Sequence, residues 1–171
     1  MPHYGTIEGA DAYHAARGRA EWGTASTEAR TAALVRGSDY IDQRYRGQAG
    51  DCAGPSFPGT KTGGRAQQRE WPRTGAVDRG GVPIDPAEIP VEVVQASFEA
   101  ALRELRQPGS LSPDFVASAQ AIKKKVGPIE LAYSDKASGD APPNRPVVPA
   151  IDELISPVLR ARVCGVAVLV V

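Results

Sequence analysis

The feature that most constrains this chain is the segment from Arg46 to Pro90, which shows neither a helical nor a strand period and separates amphipathic stretches on either side. Turn-forming residues dominate it, most clearly in GQAGDCAGPSFPGTKTGG. A structureless segment of that length is uncommon in a compact domain unless it is functional or disordered. We therefore expect a small core with a long extended loop over residues 46–85.

Two helices are predicted before this loop. The first covers about residues 7–17, because Thr6 can cap its start and Gly18 can end it. The second starts after Ser26 or Thr27 and runs through EARTAALVRGSDYIDQRY. Its apolar positions recur at helical spacing and form one stripe. They are Ala33, Leu34, Gly37, Ile41 and Tyr45.

Two further helices are predicted after the loop. The clearest is VEVVQASFEAALRELR, which follows Pro90 and is closed by Pro108 and Gly109. Its apolar face consists of Val91, Val94, Phe98, Leu102 and Leu105. A shorter helix is predicted in AIDELISPVL. Together these segments predict a mainly α fold, a small bundle of about three to four helices.

Strands are predicted only in the C-terminal third. AIKKKVGPIELAYS is typical of a β-hairpin around Gly127 and Pro128, at about residues 119–134. The apolar run from Val163 to Val171 is too short for the roughly 20 residues of a membrane-spanning helix, so we expect a buried strand and no membrane contact. Such a terminal strand needs an edge to pair with, in its own chain or in a neighbouring subunit.

The predicted organisation is a single domain over residues 1–171. The helical core covers about 6–45 and 86–107, and the extended loop covers 46–85. The C-terminal helix and β-strand cover about 150–171.

The residues that could carry chemistry form no catalytic or metal-binding pattern. His3 and His14 lack the spacing of a metal site, and Cys52 and Cys164 lie far apart without zinc-ligand spacing. No signal peptide opens the chain, so we expect a reduced, cytoplasmic origin. We expect no enzymatic activity and no cofactor.

The stretch GPSFPGTKT superficially matches a phosphate-binding loop. In that motif a lysine directly follows the second glycine, whereas here Thr60 separates Gly59 from Lys61. No hydrophobic strand precedes the segment and no periodic helix follows it. Nucleotide binding is therefore not predicted.

Charge also limits the possible functions. Twenty Lys and Arg residues balance twenty Asp and Glu residues, so the chain lacks the basic field of a dedicated nucleic-acid binder. The main run of like charge is Lys123, Lys124 and Lys125. It marks either a strand edge protected against aggregation or a contact with nucleic-acid phosphates or an acidic partner.

The step Trp71, Pro72 and Arg73 has two interpretations. Trp71 can cover one end of the helical core, or Trp71 and Arg73 can bind a partner, since both residue types are enriched at interface hot spots. Both hold if Trp71 points inward and Arg73 outward, in which case Arg73→Ala should leave the monomer unchanged. The other candidate interface residues are Val168, Leu169 and Val170.

Several of these stretches together resemble a family of small proteins encoded among the structural genes of tailed bacteriophages and prophages. They are YGTIEGADAYHAARG, EARTAALVRGSDYIDQRYRG, EWPRTGAVDRGGVPIDPAEIPVEVVQASFEAALREL, KKKVGPIELAYS and PAIDELISPVL. The resemblance covers about residues 4–160. Members are often labelled DnaT-like single-stranded DNA-binding proteins and are similar to head-tail connector proteins.

The resemblance implies an adaptor, or head-completion protein, in the virion neck. Such a protein would form a homo-oligomeric ring, twelvefold in connectors, between the portal protein and a tail-side neck or tail terminator protein. Genomic DNA would pass through it with only transient, non-specific contact. We expect it in the host cytoplasm before assembly. The alternative is a DnaT-like single-stranded DNA-binding protein, for which the hairpin with Lys123 to Lys125 and Tyr133 is the best candidate.

Overall fold

The computed structural model describes residues 2–47, 55–113, 123–126, 129–132 and 146–160. Within them the fold is mainly helical, as predicted. The helices are α1 (Ile7–Ala15), α2 (Ala20–Thr24), α3 (Thr27–Tyr45), α4 (Val91–Arg106) and α5 (Pro149–Ile155), with single 3-10 turns at Gly64–Ala66 and Ser156–Val158. The strands are β1 (Thr60–Lys61), β2 (Arg73–Thr74), β3 (Lys123–Val126) and β4 (Ile129–Ala132).

The predicted helix starts are confirmed by their capping bonds. The Thr6 hydroxyl accepts from the Gly9 N–H at 3.0 Å, and the Ser26 hydroxyl accepts from the Ala29 N–H at 3.2 Å. Each cap satisfies one of the N–H groups that the first turn leaves unpaired. At its other end α1 stops at Ala15, two residues before the predicted end.

Helix α2 was not predicted. It is only five residues long and contains Gly23, so its sequence shows no helical period. Trp22 attaches the helix to the core, because its side chain is buried and its indole Nε1 donates to the Asp11 carboxylate at 2.7 Å.

The core lies along α3 and α4, which pack on each other. One apolar cluster lies where α1 and α2 meet these helices and includes Trp22, Leu34 and Phe98. The second lies at the opposite end of these helices, where α5 and the long loop pack on them, and it includes Ile41 and Ile151. The loop is therefore part of the core as well as a connection.

The loop is more ordered than predicted. Strand β1 pairs antiparallel with β2, with Lys61 opposite Arg73, and single bridges join Val77 to Pro83 and Ser56 to Arg160. Two-residue strands are too short to produce the alternation by which strands are predicted. The predicted long loop between the helices is therefore present, and in the part that the structure describes it also contains short pairings that were not predicted.

The hairpin prediction is confirmed for the two strands themselves. Strands β3 and β4 pair antiparallel, with Lys125 opposite Glu130 and Val126 opposite Ile129. The predicted C-terminal strand, with Val168, Leu169 and Val170, lies outside the described residues, as do Cys52 and Cys164. Among the helices that are described, none has the length and hydropathy needed to cross a membrane.

Candidate functional site

The base of the long loop is held in the core by Trp71. Its side chain is 1% exposed and packs edge-on against Phe57, with ring centroids 5.7 Å apart. Its backbone N–H donates to the Tyr4 hydroxyl at 3.1 Å, and its peptide bond to Pro72 is cis. Trp71 therefore covers part of the core, which was one of the two interpretations of its sequence.

Arg73 is also buried, so the expectation that it points outward is wrong. The residue is 8% exposed, and its guanidinium donates to the carbonyl oxygens of Pro58 at 2.6 Å and Gly59 at 2.7 Å. A third bond, of 2.8 Å, joins it to the Glu70 carboxylate. Buried carbonyl groups need donors, and the five N–H groups of arginine supply them in a fixed geometry.

Pro72 shares in this arrangement through its carbonyl oxygen. That atom accepts from the Thr62 N–H at 3.2 Å and from the Gln67 side-chain amide at 3.0 Å. Trp71, Pro72 and Arg73 therefore stabilise one chain internally. If the loop binds a partner, exposed residues next to these three must make the contact.

A buried polar cluster ties the loop to α3 and to the N-terminus. The Tyr4 hydroxyl donates to Asp42 at 2.5 Å, and the Arg69 guanidinium donates to Asp42 at 3.2 Å and to Asp39 at 2.7 Å. Burial raises the pKa of Asp42, although the bonds from Tyr4 and Arg69 oppose that effect. The cluster could not be predicted because its members are distant in sequence and none belongs to a motif.

The aromatic side chains that the structure describes are directed into the core. The eight that the structure describes are all buried, with exposures of 8% or less: Tyr4, Tyr13, Trp22, Tyr40, Tyr45, Phe57, Trp71 and Phe98. Proteins that bind single strands without sequence preference stack bases on exposed aromatic rings. The described part of the chain has no such ring on its surface.

Ion pairs engage many of the arginines. Glu99 accepts from Arg19 at 2.6 Å and Arg103 at 3.0 Å, and Glu104 accepts from Arg36 at 3.1 Å. Burial alone would raise the pKa of Glu99, but the bonds from Arg19, Arg103 and Tyr13 outweigh it and hold the pKa below its usual value. Arg19 and Arg36 thereby join neighbouring elements to α4, and Arg103 pairs within α4 itself.

The sequence motif of three lysines lies on β3. Only the backbone of that strand is described, and its register places one acidic residue, Glu130, opposite Lys125. The two candidate regions are thus distinct elements: the loop fixed by Trp71 and Arg73, and the hairpin with Lys123, Lys124 and Lys125.

The described residues contain no group of three or more His, Cys, Asp or Glu side chains placed to hold a metal ion. His14, which lacks metal-site spacing in the sequence, is buried beside Trp22, with ring centroids 4.6 Å apart. Burial and the nearby Arg19 lower the pKa of His14 to about 4. His14 is therefore a neutral core side chain at pH 7.

Comparison with known proteins gave one family. A family model described as "Putative DnaT-like ssDNA binding protein" matches residues 3–170. No match was found among curated proteins or among solved structures. The family match extends over the helical core, the loop and the hairpin.

Proposed function

The chain belongs to the family described as putative DnaT-like ssDNA-binding proteins, and within that family we propose that it is a structural adaptor of a tailed bacteriophage. The adaptor would form a ring at the head-tail junction, between the portal and the tail, through which the genome passes. The observation that carries this proposal is the burial of all eight described aromatic residues. That arrangement supplies a core for a small protein and leaves no ring for base stacking in the described residues.

The charge distribution supports the same function. A ring that lets DNA pass must not bind it tightly, and each additional lysine or arginine at the phosphates would strengthen binding through counterion release. The chain has a formal net charge of zero, and its helices neutralise arginines such as Arg36 and Arg44 within the chain. An adaptor needs no catalytic group, and we propose no enzymatic activity and no cofactor.

The long loop supports a role in assembly because it combines a fixed base with exposed apolar side chains. Its base is fixed by Trp71 and Arg73, while Val77 and Val82 further along are 44% and 61% exposed. A fixed base reduces the entropy that an exposed segment loses when it binds a partner. We propose the portal and a tail-side neck or tail terminator protein as partners, a twelvefold ring as the assembly, and the virion neck as the location.

The alternative function is binding of single-stranded DNA, which the family description names. Lys123, Lys124 and Lys125 on β3 are its best candidates for phosphate contacts. Such binding would be electrostatic, so its affinity would fall steeply as salt concentration rises.

The deciding experiment measures mass and DNA affinity on the same preparation. Light scattering measures the mass of the purified protein by itself and after mixing with the portal of its own phage. An unrelated portal serves as the control. Labelled single-stranded DNA is titrated at two salt concentrations. A ring or a specific portal complex with negligible DNA affinity supports the adaptor. A monomer that ignores the portal and binds single strands in a salt-dependent way supports the alternative.

A further inference from the structure

The segment from Asp78 to Glu92, here called the acidic segment, holds carboxylates that the described chain leaves without a cation. Asp78 and Asp85 accept backbone N–H bonds within their own turns, from Val82 and Ala87. Glu88 and Glu92 form no ion pair with any described residue. The segment therefore has four carboxylates and one guanidinium, that of Arg79.

Elsewhere in the described residues the usual arrangement is different. Many acidic side chains on the helices accept from arginines, as in Arg44 with Asp152 at 2.9 Å and Arg30 with Asp11 at 2.7 Å. Glu8, Glu28 and Glu153 form no ion pair with a described residue, but they lie singly on different helices. The acidic segment differs because its unpaired carboxylates lie together in one short stretch of the chain.

Exposed apolar side chains occur in and beside the same segment. Val82 is 61% exposed and Val91 is 58% exposed, and Val77 just before the segment is 44% exposed. Among the described residues, the other large hydrophobic side chain exposed to this degree is Val147. The bridge between Val77 and Pro83 brings Val77 and Val82 near each other, and an exposed apolar patch rimmed by polar groups marks a surface that becomes covered on assembly.

The complementary charge lies on another element of the same chain. Strand β3 carries Lys123, Lys124 and Lys125, and the pairing register with β4 provides one acidic residue, Glu130, for the three lysines. Because the whole chain has a net charge of zero, excess negative charge in one region requires excess positive charge in another.

We propose that the acidic segment of one copy of this chain binds strand β3 of a second copy. The lysines would neutralise Glu88 and Glu92, and the contact would cover Val82 and Val91. The proposal rests on the ring proposed above and assigns its subunit contact. Two different surfaces of one chain form a head-to-tail contact, which is the type of contact that builds rings.

A second copy fits these observations better than nucleic acid does. DNA bound to the lysines would leave the carboxylates of the acidic segment unmatched and would bring phosphates toward a negatively charged subunit. The copy-to-copy contact neutralises both surfaces at once. Like charges placed across an interface cost several kcal/mol, so the contact is sensitive to charge reversal.

Two full-length variants test the contact. The first carries Lys123→Glu, Lys124→Glu and Lys125→Glu, which makes both surfaces acidic. The second carries Glu88→Lys and Glu92→Lys, which makes both surfaces basic and leaves the turn-forming Asp78 and Asp85 intact. We expect each variant alone to need at least about a tenfold higher concentration than the parent for assembly, measured by light scattering.

Mixing the two variants separates a contact between copies from one within a copy. In an alternating ring, each basic β3 of the second variant meets an acidic segment of the first variant. Each acidic β3 of the first likewise meets a basic segment of the second. We therefore expect the equimolar mixture to assemble although neither component does. A contact within one chain would not be restored by mixing, and that result would overturn the proposal.

A matched control reverses charge elsewhere. Glu8→Lys with Glu153→Lys makes the same change in charge at two exposed carboxylates outside the acidic segment, and assembly should match the parent. If the parent assembles and the charge variants assemble equally well, the contact is excluded while the adaptor function stands. If the parent neither assembles nor binds the portal, the adaptor function fails and the contact fails with it. Loss of single-strand binding without a change in assembly in the lysine variant would assign the lysines to DNA and reject the contact.

Discussion

Gly37 shows how a single residue fixes the close approach of α3 and α4. A Cβ atom at this position would lie 2.6 Å from the Ala101 nitrogen and 2.8 Å from the Ser97 carbonyl oxygen. Both atoms belong to the backbone of α4 and cannot move aside as a flexible side chain can. The sequence placed Gly37 in the apolar stripe of α3 but could not show that it meets the backbone of another helix.

Gly37→Ala should therefore destabilise the protein by about 1–3 kcal/mol, because α3 and α4 must separate to admit the methyl group. Gly23→Ala is the matched control, since nothing lies within 4 Å of its added Cβ. Alanine at that helical site should be neutral or stabilising by about 0.5–1 kcal/mol. Urea unfolding measures both changes, and equal stability of the two variants would contradict the close approach.

Arg73 carries the second prediction. Arg73→Ala removes the donors for the Pro58 and Gly59 carbonyl groups and leaves Glu70 without that partner, so we expect a loss of about 3–5 kcal/mol. The exposed Arg65 is the control, and its replacement by alanine should change the free energy of unfolding by less than about 0.5 kcal/mol. An Arg73 variant as stable as the parent would show that the guanidinium is not needed to hold the loop.

His14 makes stability depend on pH. Its pKa is lowered from the usual 6.5 to about 4 by burial and by Arg19, while the nearby Glu99 opposes the shift. The unfolded chain therefore takes up a proton before the folded one does, and stability falls as pH decreases from about 6.5 to about 4. The slope is at most about 1.4 kcal/mol per pH unit.

The measurement is the free energy of unfolding of the parent and of His14→Phe across this pH range. The variant should have a smaller slope, since it lacks the titrating group. Asp42 contributes with the opposite sign, because its pKa is raised and protonation favours the folded state. Identical slopes for parent and variant would mean that His14 is protonated as readily in the folded protein as in the unfolded one.

At the scale of elements, the sequence predicted those segments whose signals are local. Helices α3 and α4 are long enough to show an apolar period and have caps or prolines at their starts, and both begin where they were expected. Strands β3 and β4 were predicted from the turn residues Gly127 and Pro128 and the apolar residues beside them. Helix α2 and strands β1 and β2 were missed because five and two residues are too few for a period to appear.

The candidate site was less predictable than the helices. Trp71 was expected in the core as one of two possibilities, but the inward position of Arg73 depends on carbonyl groups of Pro58 and Gly59, whose placement no local pattern shows. The same holds for the cluster of Tyr4, Asp42 and Arg69, which joins three distant segments. Contacts between segments that are remote in sequence are set by packing, which a single sequence does not display.

The attachment of the loop to α3 gives a prediction at this scale. Asp42→Ala removes the acceptor shared by Tyr4 and Arg69, so backbone amides around Glu70 and Trp71 should exchange hydrogen faster. Amides in the middle of α4 should be unaffected if the helices stay packed. Asp39→Ala is the control, because the Asp39 carboxylate pairs with Arg69 at the edge of the cluster and is about half exposed. Uniformly faster exchange throughout the chain would instead indicate global destabilisation.

At the scale of the whole molecule, aromatic burial and charge pairing limit how the protein can contact DNA. With the eight described aromatic rings buried, contact in that part of the chain has to be made through charges. The main concentration of positive charge is the lysine run on β3. An adaptor and a DNA-binding protein built on this fold would therefore differ in what those lysines meet, while sharing the same core.

The buried rings and the lysine run together predict how any residual affinity for single-stranded DNA depends on salt. If Lys123, Lys124 and Lys125 supply the contacts, a plot of log affinity against log salt concentration should have a slope of about −2, since single strands give about −0.7 per phosphate contact. Tryptophan fluorescence should not be quenched by DNA, because Trp22 and Trp71 are each 1% exposed. Replacing the three lysines by alanine should remove the salt-dependent component and leave the fluorescence unchanged. A much steeper slope, or strong quenching on addition of DNA, would show that other basic or aromatic residues reach the strand and would favour the DNA-binding function over the adaptor.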